Sequence, residues 1–306
     1  MIRDLAGLRA GGKPALAAAL ALIEKHPRSH QAIGLLEEAW HAPHGLVIGL
    51  TGPPGVGKST LINDLMRRWR LAGLRIGVIA VDPSSRRTGG ALLGDRIRMR
   101  TDPADDGVFV RSLAARGRLG GLAELAFPAV VLMRALFDRV VVESVGVGQS
   151  EAEIVNVADR VLLCVQPGSG DALQFMKAGI MEIPDIAAVT KADTGAPASR
   201  ALADLKGALS LAAGEAIPCF SVSAISGAGM EELLAALSPT GGTSDFAERR
   251  HAQAESWLRA TIVHRFGEEG VKAAGPALAL ASRAAPFTAA RDIAARLRVT
   301  FAPLQS

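Results

Sequence analysis

The densest chemistry in this 306-residue chain lies in Gly52, Pro53, Pro54, Gly55, Val56, Gly57, Lys58 and Ser59, which satisfy the pattern G-x-x-x-x-G-K-[S/T]. Glycines let a backbone curl until successive N–H groups point into one concavity, and a helix opening there adds positive potential. Lys58 then reaches the β- and γ-phosphates of a nucleotide, the Ser59 hydroxyl serves Mg²⁺, and Thr60 closes the cradle at the helix start. A buried strand before these residues and a helical pattern after them complete the context. They imply nucleoside triphosphate binding rather than a ligand-free glycine turn.

One hydroxyl and the phosphates leave most of an octahedral shell open, so a strand-end carboxylate is expected near the metal and the reacting phosphate. Three candidates are present: Asp82, Asp95 and Glu143. Asp82 ends the run Val78–Val81 and Glu143 ends Val140–Val142, so both project where ligands bind in open α/β sheets. Asp95 follows a Gly89-Gly90 turn, with a surface helix carboxylate as its alternative reading.

Base choice falls to Thr190-Lys191-Ala192-Asp193, which resembles the Asn-Lys-x-Asp guanine motif. A carboxylate at Asp193 accepts both the N1 and N2 protons of guanine, which adenine cannot match, and the Lys191 stem covers the base face. Thr190 puts a hydroxyl where a carboxamide is expected. Ser223 and Ala224 resemble the Ser-Ala loop whose backbone N–H meets the guanine O6. Glu143-Ser144-Val145-Gly146 resembles the acidic-x-x-Gly switch of GTPases, in which the Gly146 amide would sense the γ-phosphate. Val147 stands where Ras-type enzymes carry a water-orienting Gln, which implies slow intrinsic hydrolysis. Gln149, three positions past Gly146, is a candidate to approach the nucleotide in an activated conformation, or else bonds within its own loop.

These groups meet only if strands deliver them to one edge. Short apolar runs alternate with longer amphipathic stretches from position 46 onward, the pattern of a parallel sheet covered by helices. The predicted strands are 46–51, 76–82, 108–110, 140–143, 161–165, 186–190 and 219–223. Several are unbroken Val/Ile/Leu runs, as expected when both faces are buried. The fold class is α/β: a P-loop NTPase with a mainly parallel central sheet flanked by helices. Residues 1–44 read as a helical extension with breaks at Gly11-Gly12, Pro27 and Pro43, and 45–240 as the nucleotide domain. Beyond a Ser/Thr/Gly-rich linker, 245–306 reads as a helical arm with breaks at Gly267, Gly270, Pro276 and Pro286.

Composition narrows the classes further. An apolar fraction of 49% with 21% charged residues excludes disordered and fibrous chains. A net charge of +4 without a block of like charges, and only 4% aromatics, argues against a nucleic-acid partner. Cys164 and Cys219 sit alone in apolar runs and read as core thiols of a cytoplasmic protein, not as a disulfide or zinc site. No apolar run reaches the roughly 18 residues of a membrane span, so no membrane association is expected.

Longer segments are more specific: Val81-Asp82-Pro83-Ser84-Ser85 with Thr88-Gly89-Gly90 and Leu93-Gly94-Asp95, the run Glu143–Glu151, and Pro167-Gly168-Ser169-Gly170-Asp171 followed by Lys177–Glu182. With these the chain resembles the MeaB/MMAA/ArgK-type GTPases of the SIMIBI class, closely over about 45–195. The resemblance implies a homodimeric GTPase, loaded with GTP or GDP and Mg²⁺, that gates adenosylcobalamin loading and protects or reactivates an acyl-CoA mutase. An adenosyltransferase is a further partner in that reading, and the mutase stimulates hydrolysis. It also implies that Gly146–Glu151 is the γ-phosphate switch, that Pro167–Gly179 with Asp171 and Lys177 relays nucleotide state, and that the C-terminal helices form a dimerisation arm. Trp257 and Phe266 are arm anchors or ordinary packing residues. The chain departs from the family at Thr190 and along Arg111–Gly121, where Arg116 and Arg118 serve a transition state, meet an acidic partner, or are simply solvated. Alternatives are an ArgK-like transport-protein kinase, for which no His-Arg-Asp loop is found, and a nickel-type metallochaperone, for which no Cys/His ligand spacing is found.

Overall fold

The computed structural model describes residues 4–83, 99, 101–115, 121–144, 153–168, 183–212, 216–238 and 246–301. Seven strands run β1 (Leu46–Thr51), β2 (Ile76–Pro83), β3 (Val108–Ala115), β4 (Arg139–Glu143), β5 (Arg160–Val165), β6 (Ile186–Val189) and β7 (Cys219–Ser221). They form one sheet in the order β3-β2-β4-β1-β5-β6-β7, and every neighbouring pair is parallel. Parallel neighbours need crossovers over the faces, which is why the strands are apolar throughout.

Eight α-helices are described: α1 (Leu5–Lys25), α2 (His30–His41), α3 (Lys58–Leu71), α4 (Gly121–Arg134), α5 (Ala196–Ala212), α6 (Met230–Leu237), α7 (Ala247–Ala274) and α8 (Pro286–Thr300). The strands split their side chains between two faces with period two. Leu46, Ile48, Leu50 and Val141 join α3 and α6 in one core. Val47, Ile79, Val140 and Val142 join α1, α2, α4, α7 and α8 in the other. A third cluster packs α5 on β5 and β6.

Helices α1, α2, α7 and α8 therefore share one apolar cluster. At its centre Phe127 of α4 stacks on Trp257 of α7 at 5.5 Å, with Phe287 of α8 and Trp40 of α2 at 6.1 and 6.2 Å. Such ring pairs contribute roughly 0.5–1.5 kcal/mol each beyond their buried area. Trp257 packs inside the fold here.

Several boundaries differ from the sequence reading. β3 runs five residues past its predicted end because Arg111–Ala115 pair with Ile79–Pro83 of β2 along the full ladder, a tertiary gain that Arg and Ala do not advertise. β6 and β7 stop at Val189 and Ser221, releasing Thr190, Val222 and Ser223 into loops. The Gly11-Gly12 break is a kink inside α1, with Gly12 at φ +58°. Gly267 likewise kinks α7 at φ +65°, whereas Gly270 stays helical and buried. Cys219 lies half-buried on edge strand β7 rather than in the core.

Candidate functional site

β1 is buried at all six positions between β4 and β5, so the loop leaving it opens at the carboxyl edge where the strand order reverses. Gly52 turns at φ +136°, and a Cβ there would sit 2.0 Å from the Cys164 carbonyl of β5. Gly57, at φ +95°, begins α3. Only glycine meets both demands. Pro53 and Pro54 have no N–H, so the amides this loop can offer to an anion are those from Gly55 to Thr60. Lys58 is 7% exposed, and its Nζ donates to the carbonyls of Gly52 at 2.6 Å and Pro53 at 3.2 Å. The ammonium is thereby held against the loop it serves.

The Ser59 hydroxyl donates to Glu143 Oε1 at 2.9 Å. Glu143 is buried and in register with Leu50, which brings it to the end of β1. Beneath it, Ser144 N donates to the Leu50 carbonyl at 3.0 Å and Ser144 Oγ to Thr51 Oγ1 at 3.2 Å. Two of the expected Mg²⁺ ligands are hard oxygens in contact beside the phosphate loop, a donor set that suits this cation. Asp82 lies on β2, two residues past Ala80, the register partner of Glu143. The sheet thus places it on the same edge. Asp95, Gly146 and Gln149 lie outside the described residues, as do Arg116, Arg118, Asp171 and Lys177.

The base loops are cross-braced. The buried Thr190 hydroxyl sits 2.6 Å from the Val56 carbonyl of the phosphate loop and 3.0 Å from the Val165 carbonyl of β5. Lys191 takes φ +57°, and its Nζ donates to Gln166 Oε1 and to the Gly55 carbonyl. Ser223, 1% exposed, donates its hydroxyl proton to Asp193 Oδ1 at 2.6 Å and accepts from the amides of Ile225 and Ser226. Ala192 N donates to the Val222 carbonyl at 3.0 Å. Asp193 and the half-buried Ala224 therefore belong to one rigid pair of loops, tied through Thr190 to the phosphate loop.

Three contributors, Gln166, Arg250 and Gln253, escaped the sequence reading. Gln166, which holds Lys191, carries no pattern of its own. Arg250 of α7 grips Asp159 through Nε and Nη2 at 2.7 and 2.6 Å and also donates to the Gly45 carbonyl, while Asp159 accepts from Val47 N. Gln253 adds bonds to the carbonyls of Val155 and Ala158. Together they anchor α7 to the start of β1. Polar residues inside the apolar stripe that contains Ala254 and Trp257 were the available signal. Arg134, buried alongside, has its pKa pulled down to about 10 by burial and by Arg250. The Cys164 thiol is pushed up to about 12 by burial, which keeps it protonated and unsuited to binding metal.

A profile for the family described as methylmalonyl Co-A mutase-associated GTPase MeaB matches residues 16–274. A Pyrococcus abyssi protein named as a GTPase is 55% identical over 148 residues, 48% of this chain and 46% of that protein. The chain thus spans about half the length of that relative. The mouse protein named methylmalonic aciduria type A homolog, mitochondrial, is 37% identical over 221 residues, 67% of this chain and 53% of that protein. A solved structure of an LAO/AO transport system kinase superposes with a TM-score of 0.63 at 25% identity, covering 95% of each chain. Since the matching profile runs from α1 through every described nucleotide loop to the end of α7, the chain belongs to the MeaB family of methylmalonyl-CoA mutase-associated GTPases.

Proposed function

We propose that this chain is a Mg²⁺-dependent GTPase that gates adenosylcobalamin loading of an acyl-CoA mutase and protects or reactivates it, acting as a homodimer in the cytoplasm. The observation that carries the reading is the Ser59–Glu143 contact, which joins the phosphate loop to the acid that opens the Glu143–Gly146 segment. Support for the client comes from the family description and from the name of the mouse relative.

In this reading the amides of Gly55–Thr60 hold the α- and β-phosphates, and Lys58 leaves the Gly52 and Pro53 carbonyls for the β- and γ-phosphates. Ser59 and Glu143, joined by Asp82 and Asp95, would hold the cation, which would supply neutralisation of phosphate charge when bound. Asp193 accepts the N1 and N2 protons of guanine, Lys191 covers the base, and the Ala224 amide meets O6. Gly146 reads the γ-phosphate, and Gln149 approaches the attacking water in the activated state. Water attacks the γ-phosphorus, and GDP and phosphate leave. Loss of the γ-phosphate releases the switch, and the switch biases the partner.

The test is steady-state GTP hydrolysis by the full chain, alone and with each adenosylcobalamin-dependent mutase of the same cell, with Lys58→Ala as the blank. Stimulation by one mutase is expected, and no stimulation by any of them refutes the chaperone role. A second reading, phosphoryl transfer to a transport protein, is favoured by the name of the similar solved structure. Labelled γ-phosphate appearing on a substrate-binding protein would establish it.

A further inference from the structure

Helices α1, α2, α4, α7 and α8 line a solvent-open cavity of about 490 Å³. Leu20, Ile33, Leu36, Trp257, Phe287 and Ala290 form apolar walls. Arg28, Arg265, Arg291 and Arg298 line it from exposed or half-exposed positions. Arg291 bonds to Asp292, and Glu24, the carboxylate among the lining residues, is already held by Arg111 at 2.7 Å. Thr261, in the wall, has a buried hydroxyl oxygen with no hydrogen-bond partner. That oxygen is closed off from the cavity as well as from solvent, so the apolar walls and the fringe of arginines, not the hydroxyl, indicate the occupant.

We propose that this cavity binds a single-chain anionic amphiphile. The apolar tail lies among Leu20, Ile33, Trp257 and Phe287, and a carboxylate or phosphate head meets the arginines. Size and charge both select this class. Small-ligand pockets measure about 300–1,000 Å³, a range that includes this one. Arginine forks match carboxylate and phosphate oxygens in two-point contact.

The experiment titrates the full chain with octanoate, decanoate, decyl phosphate and decanol, each below its micelle concentration, by calorimetry and tryptophan fluorescence. Saturable one-to-one binding is expected for both anions, with each methylene tightening it about fourfold, so decanoate binds about fifteenfold more tightly than octanoate. Decanol should bind at least tenfold more weakly than decanoate. Arg28→Glu with Arg298→Glu should weaken both anions tenfold or more while GDP affinity stays unchanged, which also reports that the variant folds. Ala290→Phe, which intrudes on the cavity, should weaken binding at least tenfold. Decanol binding as tightly as decanoate, indifference to the charge reversals, or no saturable binding each overturns the proposal. So does a charge reversal that changes the oligomeric mass by light scattering without any amphiphile binding, which assigns the cavity to a second copy of the chain.

Discussion

Replacing Thr190 with Val keeps the side chain's shape and removes its hydroxyl. That hydroxyl has one proton, and the nearer of its two carbonyl neighbours is Val56 O at 2.6 Å, against 3.0 Å for Val165 O. At a site only 5% exposed, the loss leaves a phosphate-loop carbonyl short of a donor, at about 1–3 kcal/mol. At about 1.4 kcal/mol per decade this is roughly a 5- to 150-fold change in an equilibrium constant. The cost divides between folding and nucleotide binding, so urea unfolding and a fluorescent GDP titration are read together, and their losses should sum to that range. Thr190→Ser keeps the hydroxyl and drops one methyl, a loss of about 0.8 kcal/mol in transfer terms. GDP affinity should therefore fall further in Thr190→Val than in Thr190→Ser. If Ser is hurt more than Val, or if Val changes neither measurement, the hydroxyl does not brace the two loops and the argument fails.

Three further outcomes are expected. Arg250→Met strands the fully buried Asp159 carboxylate, so urea unfolding should show a loss of about 3–5 kcal/mol, and a shift under about 1 kcal/mol would contradict the clamp. Asp193→Asn presents an amide where guanine offers donors, so GDP should bind at least tenfold more weakly while xanthosine diphosphate, with its 2-oxo group, gains; unchanged preference in a competition titration rules out base reading at this residue. The Arg70 guanidinium and the Gly107 amide hold the Asp105 carboxyl below the ordinary carboxylate range. The unfolded chain therefore binds that proton more readily, so the stabilisation is complete above about pH 4 and fades as pH falls through the folded value. Asp105→Asn should lower the urea midpoint at pH 6 and lower it progressively less as the pH falls below about 4, and an equal drop throughout would contradict the pairing.

Local chemistry was legible before any coordinates. A phosphate is cradled by consecutive backbone amides, so Gly52–Ser59 declares itself in eight adjacent residues, and Asp193 and Ser223 are marked by the loops that carry them. Unbroken apolar runs announced parallel strands because both faces of such a sheet are buried. The ladder beyond Val110 was hidden, since Arg111–Ala115 become strand only by pairing with β2.

The sequence by itself determined the α/β class and marked the Gly52–Ser59, Thr190–Asp193 and Ser223-Ala224 segments as candidate nucleotide loops, because each depends on spacing within a few residues. Tertiary structure alone decided the strand order, and with it the contacts that turn those loops into one site. Ser59 meets Glu143 across 84 positions, Thr190 meets Val56 across 134, and Arg250 meets Asp159 across 91. No local pattern encodes such pairs, because they form only when two buried sheet faces are covered at once and the remaining polar groups must find partners within reach.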